Sequence, residues 1–357
     1  MWRALRHGHD GRLHHRRMTD ARLAGDDIGK GLVEPLSAPA ADRAAPGATE
    51  AAAAPDYAGL LDRVMAVVEP SIGAGRVPDA IPALASADVA GFGMAVATVD
   101  GELHGIGAWR EEFSVQSISK VFALAAVVAL DAPGIWARVG REPSGDPFNS
   151  LVQLEHDRGV PRNPFVNAGA LVVTDHLLTL TGDASGAVSE LARDESENVD
   201  IWSDPRVAAS EAEHSHRNAA LAHLVASFGN LHNEVDIVLD HYFRQCALQM
   251  SCADLAVAAG FLARHGVGRG GRRVLSRSDA KRVNAVMLTC GTYDGAGEFA
   301  YRVGLPGKSG VGGGVLAVIP GRCAVCAWSP GLDDSGNSVA AVAALDAFTT
   351  LTGWSVF

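Results

Sequence analysis

Gln116-Ser117-Ile118-Ser119-Lys120 runs without a break into Val121-Phe122-Ala123-Leu124-Ala125-Ala126-Val127-Val128-Ala129-Leu130. The second part holds no charge, glycine or proline, so it predicts a helix buried on every side. It is too short to be read as a membrane span. The first part would form its opening turn. Residues three apart on a helix share a face, which sets Ser117 beside Lys120. The positive end of the helix then favours the neutral form of the lysine amine. A neutral amine within reach of a hydroxyl activates a serine nucleophile without histidine. Ser-x-x-Lys is a short pattern that also fits a polar first turn with a solvated lysine. A core helix has little use for such a lysine unless it is paired or at work.

Upstream, Asp56 can cap a helix in which Leu60, Leu61, Val64, Met65 and Val68 form one stripe. Phe92, Met94, Val96 and Thr98 alternate with small residues and read as a strand. Asp100-Gly101 turns tightly into a second strand near Leu103 to Trp109. Residues 1–55 are first basic and histidine-dotted, then rich in alanine and proline, with no hydrophobic period. They read as a disordered tail, and the folded domain as 56–357.

Downstream, the pattern from about 131 to 290 is mostly helical. Asn167 and Asn218 each stand just before an apolar helical run, where asparagine is commonly a cap. Strands return in Val315 to Ile319 and, past Pro320-Gly321, in Cys323 to Trp328. Asn337 or Ser338 caps a last helix with Val339, Val342, Leu345 and Phe348 on one face. The expected fold is α+β. An antiparallel sheet from about 56–116 and 291–357 is flanked by helices, with a helical subdomain over about 117–290.

Composition narrows the function. The net charge of −11 argues against nucleic acid as the main partner. Hydrophobic residues make up 48% and charged residues 20%, which fits a folded globular chain. No apolar segment follows the basic N-terminus as a secretory signal requires. Five cysteines, an odd and sparse set, suit reduced thiols in a cytoplasm. Cys323 and Cys326 form a C-x-x-C on a predicted strand, with no second pair or nearby histidine to complete a zinc set. No metal or cofactor is expected.

Lys308-Ser309-Gly310 adds a second signal, just before the run Val311-Gly312-Gly313-Gly314. Lys-Ser-Gly on a strand edge beside a Ser-x-x-Lys helix is the layout of β-lactamases and penicillin-binding proteins. The glycines let backbone approach a ligand closely. The N–H groups of Ser117 and Val311 are placed to form an oxyanion hole.

The chain resembles the serine-dependent glutaminases, a β-lactamase-like family, from about residue 56 to 357. The resemblance rests on Val115-Gln116-Ser117-Ile118-Ser119-Lys120, Glu142-Pro143-Ser144-Gly145, Arg162-Asn163-Pro164-Phe165-Val166-Asn167-Ala168-Gly169-Ala170, Arg217-Asn218, Tyr242-Phe243, Gly297-Glu298-Phe299-Ala300 and Gly304-Leu305-Pro306-Gly307-Lys308-Ser309-Gly310-Val311. It implies hydrolysis of L-glutamine to L-glutamate and ammonia, with Ser117 as nucleophile, Lys120 as base and Tyr293 as proton shuttle. It implies substrate contacts from Ser117, Asn167, Glu211, Asn218, Tyr242, Tyr293 and Val311. Their chemistry suits an amino acid, with the Glu211 carboxylate facing the α-ammonium. A homo-oligomer, dimer or tetramer, is also implied.

One position departs from the pattern. The family carries tyrosine in Asp-Tyr-Ile-Pro, and this chain has Asp79-Ala80-Ile81-Pro82. Altered kinetics are expected. The alternatives are a catalytically impaired glutamine- or glutamate-binding homologue, an amidase for a related γ-amide, and a β-lactam- or peptide-processing serine enzyme.

Overall fold

A computed structural model of the protein describes residues 55–145 and 149–357. The predicted tail lies outside the described residues, apart from Pro55.

The main sheet has the order β2-β1-β8-β7-β6 and every pairing is antiparallel. Its strands are β1 (Gly93–Thr98), β2 (Leu103–Gly107), β6 (Gly307–Ser309), β7 (Gly314–Ile319) and β8 (Cys323–Trp328). Both ends of the chain build it, as the sequence predicts. A small second sheet, in the order β3-β5-β4, joins β3 (Phe113–Ser114), β4 (Trp202–Ser203) and β5 (Leu248–Met250). Sequence reading missed β4 and β5 inside the helical region, because strands this short carry no period.

The helices are α1 (Tyr57–Val68), α2 (Ser119–Arg138), α3 (Leu151–His156), α4 (Asn167–Thr181), α5 (Ala184–Ser196), α6 (Pro205–His214), α7 (His216–Ser227) and α8 (Val235–Cys246). Then follow α9 (Cys252–Ala258), α10 (Gly260–Ala263), α11 (Arg277–Cys290), α12 (Ala296–Arg302) and α13 (Val339–Thr352). Asp56 caps α1 as expected, accepting from the Gly59 N–H at 3.1 Å. Ser338 caps α13 through the Ala341 N–H. The buried residues of α13 are Ala340, Ala341, Ala344, Leu345, Ala347, Phe348 and Thr349, so the expected Leu345 and Phe348 are in the core, while Val342 packs against it partly buried and Val339 is half-buried. Alanines let α13 lie close to α1, its principal helical neighbour. One core unites these two helices with the sheet, through Leu61, Val64, Met94, Val325, Leu345 and Phe348. α9 and α10 pack on the strands as well. With helices against them, β1, β7 and β8 are buried along their whole length.

α2 is the axis of the helical part, packed against α4, α5 and α11. It is buried from Ser119 to Val128. It runs past the predicted end at Leu130, with non-helical angles at Asp131 and Pro133 inside it. Asp131 recaps the continuing turn by accepting from the Gly134 N–H at 3.0 Å. The segment Gln116–Arg138 is therefore long and apolar enough to cross a membrane by length and composition, contrary to the sequence expectation. Two-thirds of it is nonetheless buried within the protein, as a core helix would be.

Candidate active site

The nucleophile turn is wound tighter than an α-helix. Gln116–Ile118 form a 3-10 turn that feeds α2 at Ser119. Gln116 has φ of 48°, in the left-handed region. Such a conformation costs about 1–3 kcal/mol and persists only where its surroundings hold it. Here the Gln116 amide donates to Ser114 Oγ at 3.0 Å, and the Gln116 carbonyl accepts from Ser119 Oγ at 2.8 Å. The β6–β7 turn closes from the other side. A Cβ on Gly312 would stand 2.0 Å from the Ser114 carbonyl, and one on Gly310 would stand 2.5 Å from the Val115 carbonyl. These two glycines thus admit the backbone of residues 114–117, where the sequence had suggested a ligand.

Lys120, 1% exposed, reaches across to α4. Its amine donates to Asn167 Oδ1 at 2.7 Å and to the Phe165 carbonyl at 3.2 Å. Asn167 in turn donates to Asn218 Oδ1 at 2.8 Å. Neither asparagine caps its helix through its side chain, so the capping alternative fails for both. Burial lowers the Lys120 amine from 10.5 to about 8, against opposing pulls from Cys246 and Glu211. The sequence reading had assigned this effect to the helix end. In the structure its cause is burial.

Glu211 comes from α6 and is 4% exposed. Burial raises its carboxyl to about 8, against the favourable pull of Lys120 and a hydrogen bond from Gln116. Its Oε2 is buried without a hydrogen-bond partner. Tyr242 on α8 lies with its ring 5.8 Å from the Lys120 amine. Burial holds its phenol well above the usual range. Tyr293 follows α11 at φ of 55°, a second strained residue in the site. Burial raises its phenol to about 12, against hydrogen bonds with the Ser117 side chain and Ser309. Tyr293 and Phe165 also line a cavity of about 480 Å³.

A hydroxyl touching a phenol, with a lowered amine and an orphan carboxylate nearby, is equipped for acyl transfer on a substrate carrying an ammonium group. The family model described as Glutaminase matches residues 75–357. The chain belongs to the glutaminase family. A glutaminase of Streptomyces coelicolor is 63% identical over 298 residues, covering 84% of this chain and 97% of that protein. The solved structure of the probable glutaminase ybaS superposes with a TM-score of 0.78 at 33% identity, covering 85% and 99% of the two chains. The probable glutaminase of Bacillus subtilis, solved with 6-diazo-5-oxo-L-norleucine, gives 0.75 at 29% identity over 88% and 100%. The β-lactamase-like architecture is thus the family's own.

The structure brings the residues expected of the site near one another, but the Lys120 amine is held by Asn167 and Phe165, with no hydrogen bond to Ser117 among the described residues. Ser117 meets Tyr293, Lys120 meets Asn167, and Asn167 meets Asn218. Glu211 and Tyr242 stand around the same amine. Val311 follows Gly310, whose Cβ would lie 3.3 Å from the Ser117 nitrogen. Sequence reading missed Gln116, which contacts Glu211, and the Phe165 carbonyl, which holds Lys120. Gln116 carried one signal, its place beside the nucleophile. A backbone carbonyl carries none. Ala80 is exposed, just before the 3-10 turn Pro82–Leu84 that packs on α6.

Proposed function

We propose that this protein hydrolyses L-glutamine to L-glutamate and ammonia through an acyl-enzyme on Ser117. The carrying observation is the buried Glu211 with one carboxylate oxygen unpartnered, beside a lysine lowered to about 8. The orphan oxygen suits an α-ammonium, and an amine so lowered can take a proton near neutral pH.

Ser117 Oγ attacks the side-chain carboxamide carbon while Lys120 takes its proton. The N–H groups of Ser117 and Val311 stabilise the oxyanion. Collapse of the tetrahedral intermediate breaks the C–N bond. The departing nitrogen receives the proton from Lys120 by way of Tyr293 and leaves as ammonia. Water gives a proton to Lys120 and attacks the γ-glutamyl ester, and the serine oxygen takes that proton back as glutamate leaves and Ser117 is freed. Asn167, Asn218 and Tyr242 supply hydrogen bonds to the substrate carboxylate and amide. No step calls on a metal or an organic cofactor.

The protein works, in this reading, as a homo-oligomer in the cytoplasm. All five cysteines are unpaired, which supports a reducing compartment. The test is ammonia release from L-glutamine by wild type and Ser117→Ala, with L-asparagine as control. Release from glutamine that disappears in the variant is the expected result. Equal release from both proteins removes Ser117 as nucleophile, and no release from wild type removes the activity.

A further inference from the structure

Lys308 is a second lysine in this site, and the proposed reaction gives it no task. It is fully buried on β6. Its amine donates to the Gly291 carbonyl at 2.7 Å and to the Ser309 carbonyl at 2.6 Å. The Ser309 carbonyl also accepts the Tyr293 hydroxyl at 3.3 Å. The Gly291 carbonyl also accepts the Ser309 N–H at 3.3 Å. The Lys308 nitrogen lies 4.3 Å from the centre of the Tyr293 ring. It therefore ties three things together: the segment that brings in Tyr293, the end of β6, and the ring itself.

This tie is built at some cost. Burying an amine is unfavourable, and both of its acceptors are main-chain carbonyls. The segment it clamps is strained at Tyr293 and has no space to relax. A Cβ on Gly291 would lie 1.7 Å from the Gly307 carbonyl. Burial and the charge of Lys120 hold the Lys308 amine well below the usual lysine value, and the two carbonyls and the ring face take up its N–H donors. The Lys308 amine is turned onto two main-chain carbonyls, and this reading gives it no bond to substrate. What it touches is the residue that touches the nucleophile.

We propose that Lys308 is the positioning residue for proton delivery, holding the Tyr293 phenol against Ser117 and the departing nitrogen by gripping the Gly291 and Ser309 carbonyls beneath the ring. This rests on the reading of Tyr293 as the relay to the leaving group. Lys308 exchanges no proton with substrate and forms no bond to it. Its loss lets the phenol drift, and a departing amide nitrogen then goes unprotonated. A thiolate leaves without a proton, so a thioester substrate does not need the relay.

The experiment compares L-glutamine with the γ-methyl thioester of L-glutamate in Lys308→Met, Tyr293→Phe and the double variant. Lys308→Met should lower kcat on glutamine about 10²-fold. Its KM should stay within about threefold, and its loss on the thioester should stay under about fivefold. Tyr293→Phe should show the same selectivity, and the double variant should be no slower than Tyr293→Phe alone. Equal losses on both substrates in Lys308→Met, or losses that multiply in the double variant, overturn the proposal while a selective Tyr293→Phe leaves the relay standing. Equal losses in Tyr293→Phe overturn the relay and this inference with it. Should Lys308→Met fail to fold, Lys308→Gln replaces it in the same comparison. Its amide donors predict the same selectivity at a smaller loss, and equal losses on both substrates again overturn the proposal.

Discussion

The pH dependence of turnover follows from the burial of Lys120. An amine acts as a base only when neutral, so activity rises as pH climbs through its pKa. Burial lowers that value from 10.5 to about 8. At pH 7 this raises the neutral fraction about 300-fold over an ordinary lysine. About 1% of Lys120 is then neutral at pH 6 and about half at pH 8. Glu211 titrates over the same range, with its carboxyl raised to about 8, and must be ionised to hold an ammonium. Both requirements act in one direction. kcat/KM for L-glutamine should therefore rise at least about 50-fold from pH 6 to pH 8, with a limb that belongs to the pair. The assay is initial-rate ammonia release at several pH values, normalised to folded enzyme at each. Lys120→Arg is the control, because a guanidinium cannot give up its proton and the rising limb should disappear with the activity. A rise of less than about fivefold between pH 6 and 8 in wild type would refute a neutral buried lysine as the base.

Two further outcomes follow from particular residues. Ala80→Tyr should lower KM for glutamine roughly 2- to 10-fold, the worth of one regained hydrogen bond, and an unchanged KM in steady-state kinetics would show that position 80 lies outside the working site. Arg138 and Asp175 form a buried pair at 2.6 Å, and Arg138→Met strands the carboxylate at a cost of about 3–5 kcal/mol, visible in urea melts at pH 7. Burial pushes the Asp175 carboxyl up, but hydrogen bonds from Arg138, Asn233 and His232 more than offset it and leave it below the usual value. Its contribution to stability is present above the unfolded pKa and fades as pH falls through the folded one. The difference between wild type and variant should therefore narrow in acid, and a difference constant down to the acid limit of folding would contradict that assignment.

Much of this protein is legible in its sequence, for local reasons. The α2 run has no polar interruption, so burial of that helix needs no tertiary information. Asp56 and Ser338 cap their helices through contacts three residues away, which chain order alone supplies. Ser117 and Lys120 are neighbours in sequence, and their motif carries the chemistry. Less visible was the limit of α2, because Asp131 acts both as a break and as a new cap around Pro133.

Tertiary structure decided how the site is assembled and how its groups are charged. The Lys120 amine is lowered through burial, which depends on α4, α6 and α8 closing around it and not on the helix end at Ser119. Gly310 and Gly312 matter for how closely their turn fits residues 114–117, a distance set by the meeting of the two ends of the chain. Lys308 and Tyr293 share the Ser309 carbonyl across the β6 edge. A sequence displays side chains but not which backbone carbonyls they will find. The residue types of the site are local information, whereas the desolvation and long-range hydrogen bonds that set their acidity exist only once the chain has folded.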